Sequence, residues 1–287
     1  YNITYQGTQN FQKSIDSLFY LVNKSTSTYM PTSDISKINK GDSTIVVDKL
    51  FAEVFKKSKQ IFKETDGYFD PTVGNLVNAW GFGPKNELND LDEKQVTEEM
   101  KLVGLNKVAL VNGKIIKQHP KIYLDFNSIG KGFGIDVVGR FLESKNCKNY
   151  LIEIGGEIRA CGVSAKNKPW RVGIDNPNID GTRTVSNFIE MSNMSMASSG
   201  NYRKYRISKS GKKIVHTINP KTGYATESNL LAATVYAPLD CADVDAYATA
   251  FMAMGIEKTK EFLKKHTKLK VLLVFTNDKG EIEEYRS

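Results

Sequence analysis

The stretch Tyr123-Leu-Asp-Phe-Asn-Ser-Ile-Gly-Lys-Gly-Phe-Gly-Ile-Asp-Val-Val138 decides how the rest of the chain is read. Its lead-in is apolar and strand-like and carries an acid, Asp125. It breaks into a turn punctuated by Gly130, Gly132 and Gly134, then resumes with helical apolar spacing at Ile135, Val138 and Phe141. Strand, glycine turn and helix start together can bring backbone N–H groups and a positive dipole end up to a phosphate. Lys131 adds a mobile cation at that point. A tight strand-to-helix turn with a surface lysine also fits. The spacing matches neither a P-loop nor a dinucleotide fingerprint: Asp125 stands where a P-loop needs glycine, and the third glycine comes too early for the other motif. The meaning of the stretch therefore depends on partners elsewhere.

The 287 residues suffice for a sizeable core, and 40% hydrophobic with 25% charged residues is ordinary for a globular chain. The formal charge of +8 comes from lysines scattered along the sequence, which predicts a solvated surface and no nucleic-acid partner. No apolar run approaches the roughly 20 residues of a membrane helix. Cys147, Cys161 and Cys241 form no CxxC pattern, so neither a disulfide framework nor a zinc site is expected. The chain opens at Tyr1 already strand-like, and any export signal or anchor is expected ahead of that residue.

Outward from the opening stretch, Phe11, Ile15, Leu18, Phe19 and Val22 predict an amphipathic helix, and Leu50 to Phe62 a second one stopped by Gly67. Lys24 to Asn39 is polar and reads as loop. Tyr68 to Pro84 interleaves aromatics and glycines with Asp70 and Asn78, which suits either a surface closing on a planar ligand or a buried irregular loop. Leu91 to Val103 reads as helix, and 107–117 as a hairpin through Asn112-Gly113. Strands are expected at Tyr150–Ile154, Trp170–Ile174, Thr184–Met191, Tyr205–Ser208, Ile214–Ile218, Leu230–Ala237, Val271–Thr276 and Ile282–Tyr285. Ala197 to Tyr202 reads as a small-residue turn, Ser210-Gly211 as a turn, and Glu257–His266 as a basic helix. Many hairpins with interspersed helices predict an α+β fold with a largely antiparallel sheet, as one domain over 1–287.

The helix expected over Cys241–Met254 is the second informative element. It is almost all small or apolar, yet Asp245 and Thr249 lie four apart on one face. A buried carboxylate costs several kcal/mol unless paired or bound to metal. No Lys, Arg or His lies one helical turn away, and Ala246, Ala248 and Ala250 leave room for something to come close. Carboxylate, hydroxyl and backbone carbonyl are hard oxygens that suit Mg²⁺, whose shell is commonly completed by substrate phosphates. Asp245 could instead cap the N–H groups of a neighbouring segment. Of the histidines, His119 and His266 read as surface residues, whereas His216, before the Asn219-Pro220 turn, is a candidate for a site. Ser199 lacks a Gly-x-Ser-x-Gly setting, which argues against a serine hydrolase.

Seven segments in order resemble a known family: Tyr29–Asn39, Tyr68–Gly74 with Trp80–Gly83, Asp125–Asp136, Ile154–Glu157, Ala197–Tyr202, His216–Gly223 and Asp245–Ala250. They are similar to the ApbE-type FAD:protein FMN transferases over nearly the whole chain. The resemblance implies a Mg²⁺-dependent enzyme that splits FAD, moves FMN onto a Thr or Ser hydroxyl of an acceptor flavoprotein, such as a subunit of a redox-driven ion pump, and releases AMP. It implies a metal held by the Ser128 carbonyl, Asp245 and Thr249, with Ala248 nearby. Flavin contacts would come from Tyr29, Tyr68, Phe69, Asp70, Asp125, Lys131, His216 and Ile218. Asp245 and His216 are the expected catalytic residues, with His216 or an acid near the metal helping to deprotonate the incoming hydroxyl. Asn219 departs from a usual Asp, Ser198 from a common Thr and Val244 from a common Ala, and a Met-Gly-Thr-like segment would precede Tyr1. Such proteins are exported and often lipid-anchored at the periplasmic face of the cytoplasmic membrane. Water in place of the hydroxyl would make the chain an FAD pyrophosphatase, and loss of turnover would leave a flavin-binding protein.

Overall fold

A computed structural model describes residues 1–83, 91–175, 185–201, 205–207, 213–225 and 229–287. In chain order the elements are β1 (Asn2–Tyr5), α1 (Gln12–Thr26), α2 (Asp34–Asn39), α3 (Lys49–Glu64), α4 (Gly74–Ala79), α5 (Glu93–Met100), β2 (Val108–Val111) and β3 (Lys114–Lys117). Then come α6 (Gly130–Ser144), β4 (Tyr150–Ile154), β5 (Glu157–Cys161), β6 (Trp170–Asp175), β7 (Val185–Met191), β8 (Met194–Gly200), β9 (Tyr205–Ile207) and β10 (Lys213–Val215). The chain ends with β11 (Leu230–Ala237), α7 (Cys241–Met254), α8 (Ile256–Lys265), β12 (Lys270–Thr276) and β13 (Ile282–Arg286). The fold is α+β, as the sequence predicts.

Seven strands form one sheet in the order β1-β4-β5-β8-β11-β12-β13, and every neighbouring pair is antiparallel. Period-two alternation gives the sheet two buried faces. Ile152, Ala197, Ala233, Val235 and Leu273 join the main core with α6 and α7. Their neighbours Ile158, Ala160, Met196 and Leu272 point to the other face, where Val172 and Ile174 of the β6–β7 ribbon cover them. A third cluster, Leu76, Trp80, Val96, Val103 and Ile218, packs α4 and α5 against the segment after β10.

Three expectations change. The polar 24–39 segment is not all loop: Ser33 accepts the Ser36 N–H as an N-cap, and Ile35 and Ile38, three apart, are buried on α2. The strand-like lead-in at Tyr123 joins no sheet. Its hydrogen bonds come from the Asn39 side chain, which donates to the Leu124 carbonyl and accepts the Leu124 N–H, each at 2.8 Å. The Asp125 N–H donates to the Pro71 carbonyl at 2.8 Å. Ala197 to Gly200 is the end of a central strand, β8, and not a turn. Its small side chains let α7 lie close against it. The turn expected at Ser210-Gly211 and residues 84, 184, 202 and 208 lie outside the described residues.

Other expectations hold with a visible cause. Asn112 and Gly113 both have positive φ (50° and 74°), the conformation a two-residue hairpin turn requires. After α3 the Gly67 N–H reaches back to the Phe62 carbonyl at 2.7 Å with φ of 74°, which a side chain would strain.

Candidate functional site

One cavity of about 670 Å³ opens where the C-terminal part of β8, the N-terminus of α6 and the middle of α7 meet. That size falls in the range of roughly 300–1,000 Å³ typical of ligand sites. Its walls include Tyr29, Tyr68, Phe69, Asp70, Asp125, Ser128, Lys131, His216, Ile218, Asp245 and Thr249. Residues up to 220 positions apart in sequence, Tyr29 and Thr249, therefore share one space. Ala248 is the exception: it is fully buried in the main core and is not a lining residue.

The floor is built by α6 and α7. Gly132 sits against the start of α7, where a Cβ would come within 2.4 Å of the Cys241 carbonyl oxygen, so only glycine fits this crossing. Gly130 and Gly134 have no such constraint. The Gly132 N–H donates to Asp245 Oδ2 at 3.1 Å. Asp245 thus caps α6, one of the two roles its burial suggests, yet among the described residues Oδ1 accepts no hydrogen bond. The N–H groups of α6 are not a bare anion cradle, because Gly130 already donates to the Phe126 carbonyl at 2.7 Å.

Asp245 is 3% exposed, and burial raises its carboxyl above the usual range, opposed by the Lys131 charge and the Gly132 N–H. Lys131 itself forms an ion pair of 2.5 Å with Glu157 of β5. Burial pulls the ammonium down, but the Glu157 and Asp245 carboxylates outweigh that and hold it above its ordinary value. Burial, then the nearby Asp245 charge, pushes Glu157 up to about 7. Asp125 is pushed up to about 6 by burial, against the Asn127 backbone N–H it accepts at 2.8 Å. Two acids with raised pKa, Glu157 and Asp245, act on one lysine, and a third, Asp125, lines the same cavity, which marks it as an electrostatic site.

Glu157 lines the cavity and pairs with Lys131, and sequence reasoning gave it no role of its own. The signal was present: in β5 the alternation puts Glu157 and Arg159 on the helix side, opposite Ile158 and Ala160. Two charged residues pointing inward from one short strand need an explanation.

A divalent cation fits the donors present. Among the described residues Asp245 Oδ1 accepts no hydrogen bond, the Thr249 hydroxyl has only a long 3.4 Å contact with Ser199, and the Ser128 carbonyl accepts none. The N–H four residues on from Ser128 is that of Gly132, which Asp245 has taken. All three groups are hard oxygens, the kind Mg²⁺ prefers.

The rim is aromatic and more structural than expected. Tyr29 is 63% exposed at the cavity edge. The Tyr68 ring carries Lys221 and Lys258 at 5.6 and 4.9 Å from its centroid, and Lys258 also donates to its hydroxyl. Asp70 is engaged on both oxygens: Oδ1 accepts the Thr72 N–H and hydroxyl, and Oδ2 accepts the Leu105 N–H at 3.2 Å. His216 lies edge-on to Phe82, 6.5 Å between ring centres. Asn219 suits its turn, since its Oδ1 accepts the Lys221 N–H at 2.8 Å. His119 and His266 do not line the cavity.

Fold and cavity together define an α+β protein with a charged, aromatic-rimmed ligand site between a seven-stranded sheet and the helices α6 and α7. Comparison with known proteins makes this specific. A family model described as the ApbE family matches residues 1–273. The chain is similar to the FAD:protein FMN transferase of Haemophilus influenzae, 37% identical over 281 residues, covering 95% of this chain and 80% of that protein. The protein of that name from Vibrio cholerae is 33% identical and covers 100% of this chain and 87% of its own length. Among solved structures, the flavin transferase ApbE from Vibrio cholerae superposes with a TM-score of 0.86 at 31% identity, covering 100% of this chain and 93% of that one. The apo form of Pseudomonas stutzeri flavinyl transferase ApbE gives 0.87 at 26% identity, covering 99% and 90%. This chain belongs to the ApbE family.

Proposed function

We propose that this chain is an FAD:protein FMN transferase acting on a Thr or Ser hydroxyl of an acceptor flavoprotein. The observation that carries the reading is the single cavity that brings the Asp245–Thr249 face, Lys131 and the Tyr29 and Tyr68 rim together. In the reaction, the acceptor hydroxyl oxygen bonds to the phosphorus on the FMN side of the FAD pyrophosphate. The bond from that phosphorus to the bridging oxygen breaks, and AMP leaves with that oxygen. The hydroxyl proton goes to a base, and we assign that role to His216, which lines the cavity.

The chain's own groups act by holding and orienting. The aromatic rim offers flat apolar surface to a ring system, and Lys131 offers a cation to phosphate oxygens. Asp245, Thr249 and the Ser128 carbonyl would hold Mg²⁺, which when bound supplies positive charge against the charge that develops on the pyrophosphate. Glu157 ties down Lys131, and Asp125 adds a second carboxyl to the cavity lining. An exported location with a lipid anchor at the outer face of the cytoplasmic membrane belongs to the same reading, supported by the family resemblance. Fractionation of cells making the protein tests it.

The deciding experiment incubates the protein with FAD, Mg²⁺ and a candidate acceptor flavoprotein, followed by mass spectrometry of the acceptor. Covalent FMN on a Thr or Ser, with AMP released, is expected. Free FMN and AMP alone would make the chain a pyrophosphatase, and intact FAD would make it a binding protein.

A further inference from the structure

α6 and α7 cap each other. Asp245, one turn into α7, accepts the Gly132 N–H at the start of α6 at 3.1 Å. Asp136, one turn further along α6, returns the contact. Its Oδ1 accepts the Cys241 N–H and its Oδ2 the Ala242 N–H, each at 2.8 Å, at the start of α7. Asp240, the residue before α7, makes no side-chain capping bond of its own, so Asp136 supplies the cap from another helix. Asp136 is wholly buried. Arg159 of β5 holds it with an Nη1 contact of 2.6 Å and reaches Asp240 from the same nitrogen at 2.8 Å. Lys57 of α3 bonds Asp240 and Asp243 at 2.9 Å each, which pins the first turn of α7 from a third side.

We infer that Asp136 is a positioning residue for the metal-binding face, fixing the start of α7 so that Asp245 and Thr249 present their oxygens to the cavity beside Ser128. The inference rests on the metal reading given under Proposed function. Asp136 is not among the residues that line the cavity. It acts through the helix: Cys241 and Ala242 are one turn before Asp245, and the Gly132–Cys241 contact leaves no slack at the crossing. If the first turn of α7 loosens, the Asp245 carboxylate loses its angle to both the Gly132 N–H and the cavity. Partners that orient a metal ligand from behind are typically worth about 10–100-fold in metal affinity.

The test titrates the whole protein with Mn²⁺, followed by electron paramagnetic resonance, well below the thermal transition. In Asp136→Asn the amide oxygen can accept one N–H while the NH₂ faces the other. Mn²⁺ affinity is expected to fall about tenfold or more, and the Mg²⁺ needed for half-maximal FAD turnover to rise in step, with KM for FAD unchanged. Leu263→Ala, in α8 and outside the cavity, serves as a control for lost stability and leaves Mn²⁺ affinity unchanged. Affinity within twofold of the parent in Asp136→Asn, or an equal loss in Leu263→Ala, overturns the inference. Should Asp136→Asn not fold, Arg159→Lys is read instead: weakened Mn²⁺ binding supports the inference and unchanged binding overturns it. Asp245→Ala separates the two readings. If it binds Mn²⁺ as the parent does, the metal assignment itself falls. If it loses Mn²⁺ while Asp136→Asn does not, only the positioning role falls.

Discussion

Lys131 on α6 and Glu157 on β5 meet at 2.5 Å on the cavity wall, and the pair is lopsided: the lysine side chain is 47% exposed and the glutamate 2%. Among the described residues that glutamate oxygen has no hydrogen-bond partner besides this ion pair. The pair therefore joins a buried acid to a half-exposed base, with the Asp245 charge nearby raising the acid further.

A raised carboxyl pKa in the folded state contributes stability that is present below the unfolded value and is lost as pH rises through the folded one. For Glu157 that window runs from its ordinary 4.5 to about 7. The metal-free protein is expected to lose stability across this window, and Glu157→Gln to flatten the fall. Urea unfolding at several pH values with EDTA present checks this, and parallel curves for parent and variant would sink it.

Asp245→Asn keeps an oxygen for the Gly132 N–H but removes the charge. Stability should change by about 1 kcal/mol or less, whereas FAD cleavage at fixed Mg²⁺ should fall about a hundredfold. Asp245→Ala, which also uncaps α6, should lose the same activity with the fold retained. Circular dichroism beside AMP release by chromatography separates the two effects. Unchanged AMP release removes Asp245 from the metal site.

His216→Ala is expected to slow flavin transfer by about 10²–10⁴-fold, the usual worth of a positioned base. Single-turnover labelling of the acceptor at saturating FAD measures it. Transfer at the parental rate would end the assignment of His216 as the base.

Gly132→Ala places a methyl group 2.4 Å from the Cys241 carbonyl oxygen, a backbone atom that cannot swing away. A cost of about 1–3 kcal/mol in unfolding free energy is expected as α6 and α7 separate, together with lost FAD cleavage. Gly130→Ala meets nothing within 4 Å and serves as the paired control. Equal stability of the two variants would contradict the close crossing.

Much of the fold was legible because periodicity and turn chemistry are local. Phe11 to Val22, the Asn112-Gly113 hairpin and the small and apolar α7 declare themselves within a few residues. What failed was set at a distance. Nothing in Tyr123–Asp125 says that its hydrogen bonds come from the Asn39 side chain and Pro71 rather than from a strand. β8 looked like a turn because its serines and alanines are chosen to admit α7, not to favour a strand. In the site, Asp245 and Thr249 were readable as a buried polar pair on an apolar helix. That Asp245 both caps α6 and faces the cavity needed the helix crossing, and the inward pointing of Glu157 needed the sheet face.

The sheet order also dictates when the site can exist. Asn2 of β1 pairs with Glu153 of β4, and β8 pairs with β11 across the intervening β9 and β10. Such distant pairings put folding in the slower, millisecond-to-second class of topologies. A chain emerging from the ribosome with β8 complete already carries Tyr29, Asp125 and Lys131, but α7 is still unsynthesised. Such a nascent chain has no face on which Asp245 and Thr249 could hold a cation. On the proposed metal reading, every fragment that ends before Cys241 lacks the helix face that would hold the cation.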